Sequence, residues 1–302
     1  MRRLLVLRAL GLGDLLTVVP ALRALRTRFA DAEIWLAAPP ALAPLVRRTG
    51  AVDRLLPVRS AVRTPPTGPP PWRGPPPDLA VNLHGQGPQS VAALRALTPG
   101  ELWSYSIEGA PPWRDDEHEV RRWCRLVSGH GCPADPTDLR LGAWRGSRGP
   151  YLLHPGAASA ERRWPARRFA EVGRELAGRG HRVVVTGGPD ERDLAERVAR
   201  GAGLPAGSVL AGRTDLAELA DLVAGARAVI CGDTGVAHLA SAYGTPSVVL
   251  FGPQPPSRWG PPGDGPHTVL RHPSLKITVA EVVSAALERA SRRPAAAARS
   301  RR

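Results

Sequence analysis

Four short segments combine residue types that can do chemistry, and each follows a run of apolar residues. The first is Gly11-Leu12-Gly13-Asp14. Its two glycines match the start of a dinucleotide-phosphate turn, but Leu16 stands where the third glycine belongs, and Asp14 puts a carboxylate where a pyrophosphate needs amide donors. A phosphate cradle is therefore disfavoured. Two readings of Asp14 remain: a helix N-terminal residue favoured by the macrodipole, or a general base projecting into a cleft.

The second segment is His154-Pro155-Gly156-Ala157-Ala158-Ser159, with Glu161-Arg162-Arg163-Trp164-Pro165 beyond it. Small residues after a strand let backbone amides approach an anion, and an arginine pair beside the next helix start supplies charge-assisted hydrogen bonds. Phosphate binding by Gly156, Ala157, Ala158 and Arg162 is the reading; solvated arginines are the alternative. The third is Gly232-Asp233-Thr234-Gly235-Val236-Ala237-His238. Thr234 and Gly235 can offer amides at a helix N-terminus, and Asp233 can accept from sugar hydroxyls or simply cap the helix, with His238 as an ordinary helix residue. The fourth, Gly187-Gly188-Pro189-Asp190-Glu191, offers Asp190 and Glu191 to the hydroxyls of a ribose, or is only a solvated helix start.

These segments need a frame that brings strand ends together. Residues 4–7, 34–37 and 79–83 read as buried strands, and the apolar pattern after Asp14 reads as a helix through Leu22 and Leu25. Around the Gly- and Arg-rich residues 142–149, which read as a linker, the pattern stops and then restarts. Strands at 151–153, 181–186, 226–230 and 247–250 follow, with a helix opened by Pro165 and ended by Gly178 and Gly180. Strands alternating with helices imply parallel sheets covered on both faces, so the fold class is α/β. At 302 residues the chain is about twice a typical domain length. The expected division is a first Rossmann-like domain at 1–145, a second at 150–275, a helix at 278–292 opened by Thr278 and Glu281, and a disordered basic tail at 294–302. Residues 64–77 hold eight prolines, a loop that cannot join a sheet and reads as a solvated insertion or a lid.

Composition narrows the function classes. The net charge of +14 comes almost wholly from arginine, Lys276 being the sole lysine. Such a surface suits nucleic acid, an anionic membrane face or phosphorylated small molecules, and an excess of Arg, Ala, Gly and Pro is also what a GC-rich genome produces. The arginines gather on no single helix and form no known nucleic-acid module, so no specific nucleic acid is expected. Cys124, Cys132 and Cys231 have neither disulfide nor metal-ligand spacing, which fits a reducing cytoplasm. Residues 1–16 mimic a signal peptide, but Arg8 and Asp14 interrupt the apolar run, and no uncharged stretch is long enough to span a membrane. A cytoplasmic protein is expected, with peripheral contact at an anionic membrane face left open by the charge. The missing third glycine counts against a nicotinamide oxidoreductase, and no Asp-x-Asp pair stands ready for a diphosphate-bound metal. Neither metal nor cofactor is expected.

In their order along the chain these motifs resemble the lipopolysaccharide heptosyltransferases, glycosyltransferase family 9, from Leu5 to about Gly263. R-A-L-G-L-G-D-L-L-T-V-V-P-A-L-R-A-L-R, from Arg8 to Arg26, is similar to the family's opening signature. R-R-W-P at Arg162 to Pro165 resembles its Lys-x-Trp-Pro element, and C-G-D-T-G-V-A-H-L-A-S-A-Y-G-T-P-S-V-V-L-F-G-P from Cys231 resembles its most distinctive segment. The resemblance implies two Rossmann-like domains facing across a cleft (GT-B type) and inverting, metal-independent transfer of a heptose-like sugar from a nucleoside-diphosphate donor such as ADP-heptose to a glycan or lipid-linked acceptor. It implies that Asp14 is the catalytic base, Arg162 contacts the donor phosphates, Asp233 binds the donor sugar, and Thr234 and Gly235 lie near the phosphates. Ala157 and Ala158 stand where some members carry hydroxyls, so amides and Arg162 must compensate. Acceptor contacts are expected from the amino-terminal domain, around Gly13, His84, Gly85 and Gln86. A catalytically inactive nucleotide-sugar-binding relative is the alternative.

Overall fold

The computed structural model of the chain describes residues 1–59, 68–157 and 159–291. Two compact units form, Met1–Leu141 and Gly142–Arg302. In the first, the apolar segment RLLVL makes β1 (Arg3–Leu7), buried from Leu4 onward. It is followed by α1 (Leu12–Thr17), α2 (Val19–Arg28), β2 (Glu33–Ala38), α3 (Ala43–Arg48), β3 (Arg54–Pro57), β4 (Leu79–Asn82), α4 (Pro88–Arg95), β5 (Glu101–Trp103) and α5 (Glu119–Gly129). The strands form one parallel sheet in the order β3-β2-β1-β4-β5.

The second unit runs β6 (Tyr151–His154), α6 (Ala166–Gly178), β7 (Val183–Val185), α7 (Arg192–Ala202), α8 (Leu216–Ala224), β8 (Ala228–Gly232), α9 (Gly235–Tyr243), β9 (Ser247–Phe251), α10 (Pro256–Trp259), β10 (His267–Arg271) and α11 (Val279–Ser291). Its sheet is also parallel, ordered β10-β9-β8-β6-β7. Both units are thus doubly wound α/β sheets of the expected class. In each, the strand order reverses once, between β1 and β4 and between β6 and β8. The loops leaving a reversal point diverge to opposite faces and open a crevice at the carboxyl ends, so each unit has one preferred place for a ligand.

Several local expectations are revised. The helix after β1 starts at Leu12 and not beyond Asp14, so Gly13 and Asp14 lie in its first turn. It also breaks at Val18, because Pro20 in the first turn of α2 has no N–H to continue the ladder. β3, β5 and β10 are short edge or near-edge strands that the apolar pattern does not reveal. The stretch read as a linker lies against the second unit. A Cβ on Gly146 would come within 2.1 Å of the Ala226 carbonyl oxygen, and one on Gly149 within 1.8 Å of that of Gly225. Its glycines therefore permit close backbone approach.

The helix opened by Thr278 forms as α11; Glu281 N–H donates to Thr278 Oγ1 and Glu281 Oε2 accepts from Thr278 N–H at 2.7 Å. In the proline-rich stretch, Trp72 packs edge-on to Trp35 with ring centroids 5.2 Å apart, anchoring the described half. The expectations at residues 60–67, at Ala158 and in the 294–302 tail lie outside the described residues. Among the described residues no helix is long and apolar enough to cross a membrane.

Candidate active site

The reversal point of the first unit collects a charged group that the sequence reading passed over. Arg8 directly follows β1 and is 1% exposed. Its Nη2 donates to Asp14 Oδ1 at 3.1 Å and to Thr17 Oγ1 at 3.2 Å, its Nε to the Asp14 carbonyl at 3.0 Å, and its Nη1 to the Leu83 carbonyl at 2.6 Å. The guanidinium also lies over the Trp123 ring, 4.9 Å from its centroid. Burial pushes its pKa down, while Asp14 and Glu119 oppose the shift.

Asp14 is held at both oxygens. Oδ2 accepts the Gly11 N–H at 3.2 Å, the reach-back bond of a helix N3 residue, and Oδ1 takes the Arg8 bond. The helix N-terminal reading is thereby realised. It does not use up the carboxylate, whose side chain is 27% exposed and keeps acceptor capacity toward solvent. Gly13, half-buried, sits one residue before it in the same turn.

The loop after β4 joins this group because Asn82, the last residue of β4, pairs in register with Leu7. Buried Asn82 reaches the Gly85 carbonyl at 3.2 Å and the Ser90 and Ser104 hydroxyls at 3.0 Å, and its Oδ1 accepts the His84 N–H at 3.1 Å. The Gln86 carbonyl accepts from the Ser106 hydroxyl. His84, Gly85 and Gln86 are thus fixed beside Arg8. Burial, and then the neighbouring Arg8 charge, push the His84 pKa down to about 4, so its imidazole is neutral at pH 7. Its Nδ1 is buried with no hydrogen-bond partner among the described residues.

At the reversal point of the second unit, His154 pairs in register with Cys231, which brings the loops after β6 and β8 side by side. Arg162 Nη1 stands 3.6 Å from Asp233 Oδ2. Burial raises the Asp233 pKa and Arg162 opposes the rise. The other arginine does a different job: Arg163 Nη2 donates to the Ala157 carbonyl at 3.3 Å and braces the small-residue turn. Asp233 is not the cap of α9; Thr234 is, without a side-chain capping bond, and Gly235 begins the helix. The Ala237 amide donates to the Thr234 carbonyl at 3.0 Å, whereas helix geometry leaves the Gly235 and Val236 amides without an acceptor inside the helix.

The two acidic residues of the fourth segment separate. Asp190 is exposed, whereas Glu191 Oε2 accepts the Gly188 N–H at 2.9 Å and lies 4.0 Å from His154 Nε2. A Cβ on Gly156 would fall 2.0 Å from Glu191 Oε1, so glycine is what lets this carboxylate approach the turn. His154, buried, also meets the Thr186 hydroxyl at 3.1 Å through Nδ1. Asp190 and Glu191 thus differ in exposure and in partners. His238 packs edge-on to Trp259.

Sequence reasoning missed Arg8, Thr17, Asn82 and Trp123 in the first unit and the His154–Glu191 contact in the second. Arg8 carried a usable signal: a charge ending a fully apolar strand must find a counter-ion, and Asp14 is the nearest acid along the chain. Among the described residues no group of three or more His, Cys, Asp or Glu side chains could hold a metal ion.

Two doubly wound parallel-sheet units in series, each with polar groups gathered at its reversal point, are the architecture of the GT-B glycosyltransferases. An Escherichia coli ADP-heptose lipopolysaccharide heptosyltransferase II shares this fold with a TM-score of 0.75 at 21% identity, over 96% of this chain and 98% of that one. The model of glycosyltransferase family 9 (heptosyltransferase) matches residues 95–281, more than half of the chain, and the chain belongs to this family. Among curated relatives, lipopolysaccharide heptosyltransferase 3 of Escherichia coli is 36% identical over 112 residues, a segment that spans 36% of this chain and 33% of that relative. Lipopolysaccharide heptosyltransferase 3 of Escherichia coli strain K12 is 26% identical over 292 residues, covering 82% of each.

Proposed function

We propose that the protein transfers a heptose from a nucleoside-diphosphate donor, ADP-heptose by the relatives' names, to a hydroxyl of a lipopolysaccharide-type or other glycan acceptor, with inversion and without a metal. The observation that carries this reading is the Asp14 carboxylate, fixed by the Gly11 amide and Arg8 yet still 27% exposed beside the His84–Gln86 loop. A base must reach the proton it takes while its own orientation is set by other groups.

In the proposed reaction the acceptor oxygen forms a bond to the anomeric carbon as the bond from that carbon to the diphosphate oxygen breaks. The bonding pair leaves with the nucleoside diphosphate, and the hydroxyl proton passes to Asp14. Arg162, with the amides of the Gly156–Ala157 turn and of Thr234 and Gly235, holds the leaving phosphates; preorganised donors of this kind stabilise charge as it develops. Asp233 accepts from sugar hydroxyls. Asp190 remains available to the nucleoside, and Gly13, His84, Gly85 and Gln86 to the acceptor. A lipid-linked acceptor would place the work at an anionic membrane face, to which a net charge of +14 is attracted.

A thermal-shift panel of ADP, GDP, UDP and dTDP, followed by an assay of ADP release from ADP-heptose with lipopolysaccharide acceptor, tests the proposal. A ligand bound only by the native state raises the melting temperature, so ADP should give the largest shift. Equal, null shifts and no ADP release would overturn it.

A further inference from the structure

We propose that Arg8 is a positioning residue for Asp14, and that it ties the orientation of that carboxylate to the loop after β4 on the acceptor side. The inference rests on the reading of Asp14 as the general base. Its footing is geometric: one buried guanidinium makes hydrogen bonds to both loops of the reversal point. Toward the loop after β1 it reaches Asp14 Oδ1, the Asp14 carbonyl and Thr17 Oγ1; toward the loop after β4 it reaches the Leu83 carbonyl, the residue before His84. A guanidinium presents its donors in one rigid plane, so meeting acceptors in two loops at once fixes the loops relative to each other.

The fold keeps this charge inside at a cost. Arg8 is buried and Trp123 covers its face; Glu119 on α5 adds a negative group, but it is paired with Arg122 at 3.1 Å, whose own charge works against Arg8. A buried ion pair is a poor source of net stability, because desolvation offsets its attraction. Placing a carboxylate is a better account of it. Without Arg8, among the described residues the Gly11 amide alone would hold the Asp14 carboxylate, through Oδ2, and the side chain could turn about that bond. Thr17 completes the clamp, since its hydroxyl accepts from Arg8 and donates to the Asp14 carbonyl at 2.9 Å.

Lysine keeps the charge but offers a compact ammonium that cannot span both loops. Arg8→Lys should therefore lower kcat about tenfold or more, because displacement of a reacting group by an ångström can carry a penalty of up to about 100-fold. The KM for ADP-heptose and the Kd for ADP should stay unchanged. A general loss of structure would not spare them selectively. In the Asp14→Asn background, adding Arg8→Lys should change turnover no further, since a group that acts through Asp14 has nothing left to position. Wild-type kcat in Arg8→Lys, or the same fold-loss with and without Asp14, overturns the proposal.

The two readings fail separately. Normal turnover in Asp14→Asn removes the base and Arg8's role with it, whereas a slow Asp14→Asn beside a silent Arg8→Lys removes only Arg8. If Arg8→Lys does not fold, Thr17→Val carries the test by deleting the clamping hydroxyl. A severalfold lower kcat at unchanged donor KM, absent in the Asp14→Asn background, is expected; unchanged kcat overturns the proposal.

Discussion

Arg162 and Asp233 stand 3.6 Å apart, an ion pair joining the two loops that diverge from the reversal point of the second sheet. The pair keeps the proposed phosphate-binding group and the proposed sugar-binding group in reach of each other. On the proposed reading an incoming diphosphate would compete with Asp233 for the guanidinium, so the two side chains should respond differently to nucleotide and to nucleotide sugar.

Arg162→Ala should weaken ADP binding by about 1.5 to 3 kcal/mol, the range for hydrogen bonds to charged groups. Asp233→Asn should leave ADP binding as tight or tighter, since it frees Arg162, while removing the preference for ADP-heptose over ADP. Calorimetry with both ligands on both variants checks this. An unchanged ADP affinity in Arg162→Ala would shift the phosphate role away from that residue.

His84 makes the fold sensitive to acid. Its folded pKa is lowered from 6.5 to about 4, so between these values the unfolded chain binds a proton that the native state refuses. Stability from this group is present above pH 6.5 and is lost as pH falls toward 4. His84→Gln should flatten the decline in melting temperature across that window. An equally steep decline in the variant would show that other groups cause it.

Transfer should persist in a chelator if, as proposed, Arg162 and backbone amides supply the positive charge that a cation would otherwise provide. ADP release measured in EDTA, with and without added magnesium or manganese, reads this directly. Loss in EDTA with recovery on adding either cation contradicts the metal-free site.

The central strands and the loops that follow them were legible because a parallel sheet buried on both faces writes itself as short apolar runs: β1, β4, β6, β8 and β9 all do so. The edge strands β3 and β10 were not, since they mix exposed and buried positions without a clean period, whereas the edge strand β7, buried throughout, was. At the candidate site, Arg162 and Asp233 were legible singly by type and place. Their pairing was not, because it depends on the strand order, which no local pattern states. The role of Arg8 at the site was not legible for a related reason: its partners Leu83 and Trp123 come from distant segments. The approach of Glu191 to His154 was not legible either, because it depends on the absent Cβ of Gly156 in another loop.

The Arg8 contact also alters what a change at Asp14 should do to the fold. An Asn at this position can still accept the Gly11 amide, so capping alone would cost little. It cannot compensate the buried guanidinium, so Asp14→Asn should melt lower than the wild type while staying folded. A melting temperature equal to that of the wild type would show that Arg8 does not need the Asp14 charge to stay buried.

Asp14→Asn turnover, measured as ADP release from ADP-heptose on the preparation whose folding and ADP affinity have been verified, tests the proposed chemistry most directly. Positioned proton transfer contributes about 100-fold or more. The account predicts a loss of at least that order with ADP affinity unchanged, and near-normal turnover in the folded variant would contradict it.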